Sequence, residues 1–269
     1  MTLADLGRAG AAAAVAIVLV LAVTFASSRV AGRHSVIDTA WGLLFAAAAL
    51  AAFLATAGAG NPARRYLLLA MTVGWGLRLA LHIGRRSRGR PEDPRYERLL
   101  ARAPGSRDRY ALRVVYLLQG VLALAVSAPV LVAMVTPGPV AGLAWAGIAL
   151  WGVGLFFEAV GDAQLQRWRS DPVHRGGVID VGLWRYTRHP NYFGDACVWW
   201  GIFLVAAERW PGVLTVLAPV LMTVLLTRGS GVRIMEQHMR ERPGWDAYAA
   251  RTPVFLPRPS RRPPRDDRA

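Results

Sequence analysis

The sequence predicts an all-α, polytopic integral membrane protein, a helical bundle of about seven transmembrane helices. Three observations carry this. Of the 269 residues, 54% are hydrophobic and only 18% are charged, where a soluble domain of this size carries roughly a quarter charged residues. Apolar runs of about 18 residues or more, the length that crosses a ~30 Å hydrocarbon core, recur along the chain. The charges gather in the connections between those runs, and mean hydropathy is +0.31.

Hydropathy places the spans at about 10–28, 36–57, 66–84, 112–135, 140–161, 193–208 and 211–228. Each is expected to be helical, because a backbone in lipid must pair its polar groups within its own segment. The first span has only Arg8 ahead of it and more spans follow, which favours an uncleaved span over a signal peptide. The last two runs are short and could pack as a tilted hairpin. From Arg258 the sequence is rich in Pro and Arg, so 258–269 is expected to be a disordered basic tail.

The connections set the orientation. All 32 basic residues are Arg and the net charge is +15. The segment Arg85 to Arg113 holds ten Arg against four acids, and with seven spans 27 Arg fall on one face against 4 on the other. The positive-inside rule then puts the N-terminus outside and the C-terminus in the cytoplasm. Such arginines are expected to meet anionic membrane lipid rather than nucleic acid. Cys197 is the only cysteine, which excludes an intrachain disulfide, and the five His residues form no close metal-ligand pair.

Ionisable residues inside spans are costly and mark candidate functional positions. Asp38 lies at the start of span two, and Arg78 lies well inside span three with His82 one turn on. Asp38 matches Arg78 by charge as a partner. Glu158 and Asp162 close span five four residues apart, on one helix face. Arg169 falls near that face if the helix continues. Acids beside an Arg can accept hydroxyls and hold a phosphate. A solvated helix end would look the same.

The segment Gly182 to Asp195 concentrates chemistry. Trp184, Arg185, Tyr186, Arg188, His189, Asn191 and Tyr192 fall within nine positions. Pro190 turns His189 out of helical geometry and can itself begin the next helix. A helix start beside Arg and His suits an anion, aromatic faces suit a planar group, and Asn191 can bond an amide or a ring edge. An interfacial aromatic belt explains the Trp and Tyr but not the His-Pro-Asn between them.

The run Arg188-His189-Pro190-Asn191-Tyr192-Phe193-Gly194-Asp195 resembles the signature of the steroid 5-alpha-reductase and sterol-reductase superfamily. More closely, the chain resembles a bacterial branch with a steroid 5-alpha-reductase C-terminal-like domain. The likeness extends to Asp38-Thr-Ala-Trp41, Trp75-Gly-Leu-Arg78, Glu92-Asp93-Pro94-Arg95-Tyr96, Trp245-x-x-Tyr248 and Thr252-Pro253-x-Phe255-Leu256-Pro257. It implies a single membrane domain over 1–257, with substrate-side helices over about 1–135 and cofactor-side helices over about 140–257. It implies NADPH as cofactor, bound on the cytoplasmic side of a bacterial inner membrane, and hydride transfer to a carbon–carbon double bond of a lipophilic, steroid- or isoprenoid-like substrate.

By match, Glu158, Asp162 and Arg169 hold the cofactor, as do Arg185, Tyr186, His189, Asn191 and Tyr192 of the signature. Trp184 and Arg188 lie in the same run. Asp195 stands where the family usually has Glu. Arg233 and Glu236 fall where sterol reductases place polar groups near the nucleotide. The steroid enzymes draw an acid from a Tyr and a Gln-Glu pair on N-terminal helices. Trp75 and Arg78 are the nearest positions here and do not reproduce the Tyr. The catalytic candidates are therefore Asp38, Arg78 and Tyr186.

Two other function classes stay open. Isoprenylcysteine and phospholipid methyltransferases carry a relative of the Arg-His-Pro-x-Tyr core and bind S-adenosylmethionine. The Glu236 segment and the aromatic tail would serve that chemistry. A scaffold or transporter would use Asp38 and Arg78 as a structural pair or relay, although no internal repeat supports transport.

Overall fold

The computed structural model describes residues 1–259 apart from Arg175 and Ser230; the side chains of Arg233, Ile234 and His238 also lie outside the described residues, as does 260–269. Among the described residues the fold is all-helical, without a strand. Among the described residues, five helices are long and apolar enough to cross a membrane: Leu3–Ala31, Val36–Ala55, Pro62–Ser87, Arg107–Val126 and Gly142–Ser170. Gly212–Thr227 is apolar but shorter. The chain divides into two compact units, Met1–Ala146 with Ile202–Ala218, and Gly147–Gly201 with Pro219–Ala269. Residues 202–218 group with the N-terminal unit.

The first unit begins with α1 (Leu3–Ala31), whose start is closed by a capping box: Asp5 N–H donates to Thr2 Oγ1 at 3.1 Å and Thr2 N–H donates back to the Asp5 carboxylate at 3.3 Å. Helices α2 (Val36–Ala55) and α3 (Pro62–Ser87) pack against each other through Gly42 and Gly76. A Cβ on either glycine would collide with the other's carbonyl oxygen. Small residues permit this backbone approach, and in lipid such packing has to replace the hydrophobic drive between helices.

Arg64 and Arg65, in the first turn of α3, are buried. Arg64 donates to the carbonyls of Thr136, Gly138 and Pro139 at 2.8–3.2 Å and to Glu208 at 3.1 Å. Arg65 donates to the carbonyls of Phe53, Thr56 and Met134 at 2.5–3.2 Å. The two guanidinium groups thus collect carbonyls left over where α2 and α7 (Ala128–Met134) end.

Short helices α4 (Pro94–Leu100) and α5 (Arg107–Ala111) follow α3, and α5 runs through a π-helical turn, Leu112–Leu117, into α6 (Leu118–Val126). Tyr96, Leu100, Ala111, Val115 and Tyr116 pack with Ile37 and Ala40 in one apolar cluster. The expected fourth span over 112–135 is therefore a longer helical path, interrupted at Ser127, with Pro129 in the first turn of α7.

The second unit is organised by a glycine seam. Helix α8 (Gly142–Ser170) carries Gly147, Gly154 and Gly161 at seven-residue spacing. They face Gly201, Gly194 and Pro190 of α9 (Pro190–Ala207) in antiparallel order. A Cβ on Gly201 would lie 2.6 Å from Gly147 O, one on Gly154 2.5 Å from Gly194 O, and one on Gly161 3.2 Å from Pro190 Cγ. A seven-residue repeat holds one stripe of a helix facing its neighbour, so α8 and α9 touch backbone to backbone along the seam. Helices α10 (Leu217–Thr227), α11 (Val232–Met239) and α12 (Trp245–Arg251) follow among the described residues.

Candidate functional site

The seam delivers the end of α8 to the start of α9. Glu158 and Asp162 are buried there, at 2% and 6% exposure. A Cβ on Gly194 would stand 2.8 Å from the backbone nitrogen of Glu158. Asn191, one residue into α9, donates through Nδ2 to Asp162 Oδ1 at 3.3 Å. Its Oδ1 accepts from the N–H of Tyr192 at 3.1 Å. Helix α8 continues to Ser170, so Arg169 shares the helix and, two turns beyond Asp162, its stripe. Arg169 is exposed.

The loop ahead of α9 is held from two directions. Trp184, in a 3-10 turn over Gly182–Arg185, donates its indole N–H to Gly161 O at 3.0 Å. Tyr248 of α12 donates to Trp184 O at 2.7 Å. The C-terminal segment runs along the same loop. Arg188 N–H donates to Pro253 O at 2.9 Å, Thr187 Oγ1 donates to Phe255 O at 2.9 Å, and Arg258 N–H donates to Tyr186 O at 2.9 Å. The backbone is thus fixed as far as Arg258, one residue into the expected tail. Residues 260–269 of that tail lie outside the described residues.

Glu236 of α11 joins two signature side chains. Its Oε1 lies 3.3 Å from Arg188 Nη1 and 3.2 Å from His189 Nε2. Burial pushes its carboxyl upward, but the His189 hydrogen bond and the Arg188 and His189 charges outweigh that and hold it below the usual carboxylate range. The Arg188 guanidinium also sits 5.6 Å from the centre of the Trp245 ring. His189 is buried and stacks on Tyr192 with ring centres 5.4 Å apart and planes 6° from parallel. Burial pushes the Tyr248 hydroxyl upward, consistent with its role as a neutral donor to Trp184.

The second unit therefore brings together Glu158, Asp162, Trp184, Arg188, His189, Asn191, Tyr192 and Glu236. Asp195 is half-buried on α9 one turn beyond Asn191. Arg185 and Tyr186 belong to the same loop but are exposed. The side chain of Arg233 lies outside the described residues. Buried acids suit hydroxyl groups, the arginine suits a phosphoryl group, and a stacked aromatic pair suits a planar ring. Arg188 Nε is buried without a hydrogen-bond acceptor among the described residues. This donor and acceptor set fits a nucleotide.

Asp38 and Arg78 belong to the first unit. The Asp38 carboxylate accepts from Arg95 Nη2 at 3.0 Å and from the Tyr96 hydroxyl at 2.5 Å. Both Arg95 and Tyr96 reach Asp38 from α4. Glu92 accepts from the N–H groups of His34 and Ser35 at 2.5 and 2.9 Å, capping the approach to α2, and Asp93 caps α4 through Arg95 N–H at 2.8 Å. Burial pushes the Glu92 carboxyl up, and these bonds more than reverse the effect. Burial, then the charge of Asp38, raises the Tyr96 hydroxyl.

Sequence reasoning assigned no role to Glu92, Arg95, Tyr96, Trp245, Tyr248 or the carbonyls of 253–255. Their signal was present as short motifs outside the spans, where hydropathy says nothing about contacts.

Residues 24–252 match the family model described as "Protein of unknown function (DUF1295)". No curated protein and no solved structure matches the chain significantly.

Proposed function

We propose, on the premise that the chain belongs to the DUF1295 family, that it is a membrane-embedded NADPH-dependent reductase of a carbon–carbon double bond in a lipophilic substrate. One observation carries this reading: a single unit gathers buried Glu158 and Asp162, Asn191, the stacked His189 and Tyr192, and Arg188. The resemblance of the signature to steroid 5-alpha-reductases and sterol reductases supports the same chemistry. In this reading Glu158 and Asp162 accept hydroxyl hydrogens, Asn191 and Tyr192 orient a planar group, and Arg188 compensates phosphoryl charge. NADPH, when bound, supplies the hydride. The protein positions it, excludes water and furnishes a proton. Tyr186, exposed beside the signature, is the proton donor in this scheme.

The proposed topology has seven spans. The five long apolar helices are supplemented by α9 and by the shorter helix over 212–227. The N-terminus lies outside, the C-terminus and the nucleotide site face the cytoplasm, and the membrane is a bacterial inner membrane. The 27 to 4 division of Arg between the two faces supports this orientation.

The test is thermal stability of the detergent-solubilised protein with NADPH, NADH and S-adenosylmethionine, since a ligand of the folded state raises the melting temperature. NADPH should stabilise. Asn191→Ala should abolish that shift while changing the apo melting temperature little; His189→Ala should abolish it too and, because it removes the buried contact with Glu236, also lower the apo melting temperature. Stabilisation by S-adenosylmethionine alone would replace the reductase with a lipid methyltransferase. The contact of Glu236 with Arg188 and His189 beside the aromatic C-terminal segment gives that second reading its support.

A further inference from the structure

The connection from Arg85 to Arg113 joins two of the helices long enough to cross a membrane, Pro62–Ser87 and Arg107–Val126, and lies wholly in the first unit. Its ten arginines and four acids are not mixed on the surface. Three of the acids are committed to the protein itself. Glu92 accepts the N–H groups of His34 and Ser35, Asp93 pairs with Arg95 at 2.9 Å, and Asp108 pairs with Arg29 and His34, each at 3.2 Å. Arg95 is taken up by Asp38 and Asp93. The other nine arginines are exposed, and none of them has an ion pair among the described residues. Glu97 is the one exposed acid of this segment. The contacts that fix the start of α2 and tie α5 to α1 thus strip the outer face of negative charge. The arginines also stand beside exposed leucines at both ends. On α3, Leu77 and Leu81 are exposed, and Arg85 follows on the same helical stripe. At the other end exposed Arg113 adjoins exposed Leu112 and precedes exposed Leu117 by four residues.

We propose that the Arg85–Arg113 connection is a docking face for the anionic phospholipid headgroups of the surrounding bilayer, with Arg85 and Arg113 at its two ends. A helix that meets acyl chains through its leucines places the neighbouring guanidinium at headgroup depth. There the apolar stem stays against the chains while the charge reaches a phosphate. Charge complementarity selects the headgroup. A guanidinium can take two oxygens of a phosphodiester, whereas a zwitterionic headgroup brings a second cation to a face that is already cationic. Continuity with the exposed leucines favours a lipid surface over an acidic protein or a nucleic acid, which would meet the arginines but not the leucines. This face needs no nucleotide and stands apart from the reductase reading.

The test reconstitutes the full-length protein in phosphatidylcholine vesicles carrying a trace of spin-labelled phosphatidylglycerol or spin-labelled phosphatidylcholine. Electron paramagnetic resonance reads the relative association of each label with the protein. The natural protein is compared with the Arg85→Gln, Arg113→Gln double variant, the same pair changed to Lys, and Glu97→Arg. Phosphatidylglycerol should be enriched over phosphatidylcholine, and the enrichment should shrink as salt screens the exposed charges. One arginine beside an anionic surface is worth up to roughly fivefold in affinity. The Gln pair should therefore lose most of the enrichment, the Lys pair should keep most of it, and Glu97→Arg should increase it. Both arginines are exposed, so the melting temperature of the Gln pair in phosphatidylcholine should match that of the natural protein. Equal association of the two labels overturns the proposal, as does enrichment that persists unchanged in a folded Gln pair. Should the Gln pair fail to fold, enrichment that responds neither to salt nor to Glu97→Arg overturns it instead. Binding of polyglutamate or RNA that depends on Arg85 and Arg113, without phosphatidylglycerol enrichment, would replace the lipid with a soluble partner and overturn it as well.

Discussion

Glu236 shows how one side chain can tie a local motif to a distant segment. It lies 47 positions beyond His189 and takes both His189 and Arg188. Glu236→Ala should leave both donors short of an acceptor and cost about 1–3 kcal/mol, read as a lower melting temperature. Because the folded carboxyl is held below its usual range, its contribution is complete above the ordinary value of roughly 4.3 and fades as pH falls through the lower folded value. The melting temperature of the natural protein should therefore approach that of Glu236→Gln on acidification below that range. A gap between the two that stays constant with pH would contradict the assignment. Asp38 has the corresponding place in the first unit. Asp38→Ala strands Arg95 and Tyr96 and should loosen α4, seen as faster proteolysis within 88–106.

The α8–α9 seam determines where the chemistry sits. Glycines at 147, 154 and 161 are unremarkable one by one in an apolar helix, and their shared stripe becomes meaningful only against Gly194 and Gly201. Gly154→Ala should force the helices apart, cost about 1–3 kcal/mol and reduce nucleotide binding. Gly152→Ala is the matched control. A Cβ there meets nothing within 4 Å, and replacing a helical glycine by alanine gains up to about 1 kcal/mol. If both variants lower stability alike, the seam does not hold the site. Helix α8 also shows a limit of hydropathy: its span was expected to end near 161, but the helix continues to Ser170. Its last turns are polar, so an apolar window stops before the helix does, and Arg169 lies on that extension.

For the molecule as a whole, the charge asymmetry predicts orientation. Fusing a reporter after the last residue should give a cytoplasmic signal, and an N-terminal fusion should report the opposite face. A periplasmic C-terminus would overturn the seven-span topology and move the polar site away from cytoplasmic nucleotide. Residues 202–218 group with the N-terminal unit although hydropathy joins them to their sequence neighbours.

Composition and hydropathy alone determined the helical membrane class, most of the apolar helices and the clustering of polar chemistry at Gly182–Asp195. These follow from local chain properties: apolar length, backbone hydrogen bonding in lipid and residue spacing. Only the tertiary structure decided the partners. It joined Asp38 to Arg95 and Tyr96, Asp162 to Asn191, and the signature to Glu236, Trp245, Tyr248 and the carbonyls of 253–255. It also buried Arg64 and Arg65, which the sequence presents as ordinary face charges. Such contacts join residues 29 to 144 positions apart, and they depend on how helices cross. That crossing is set by where glycines let two backbones meet, which one helix cannot reveal without its neighbour.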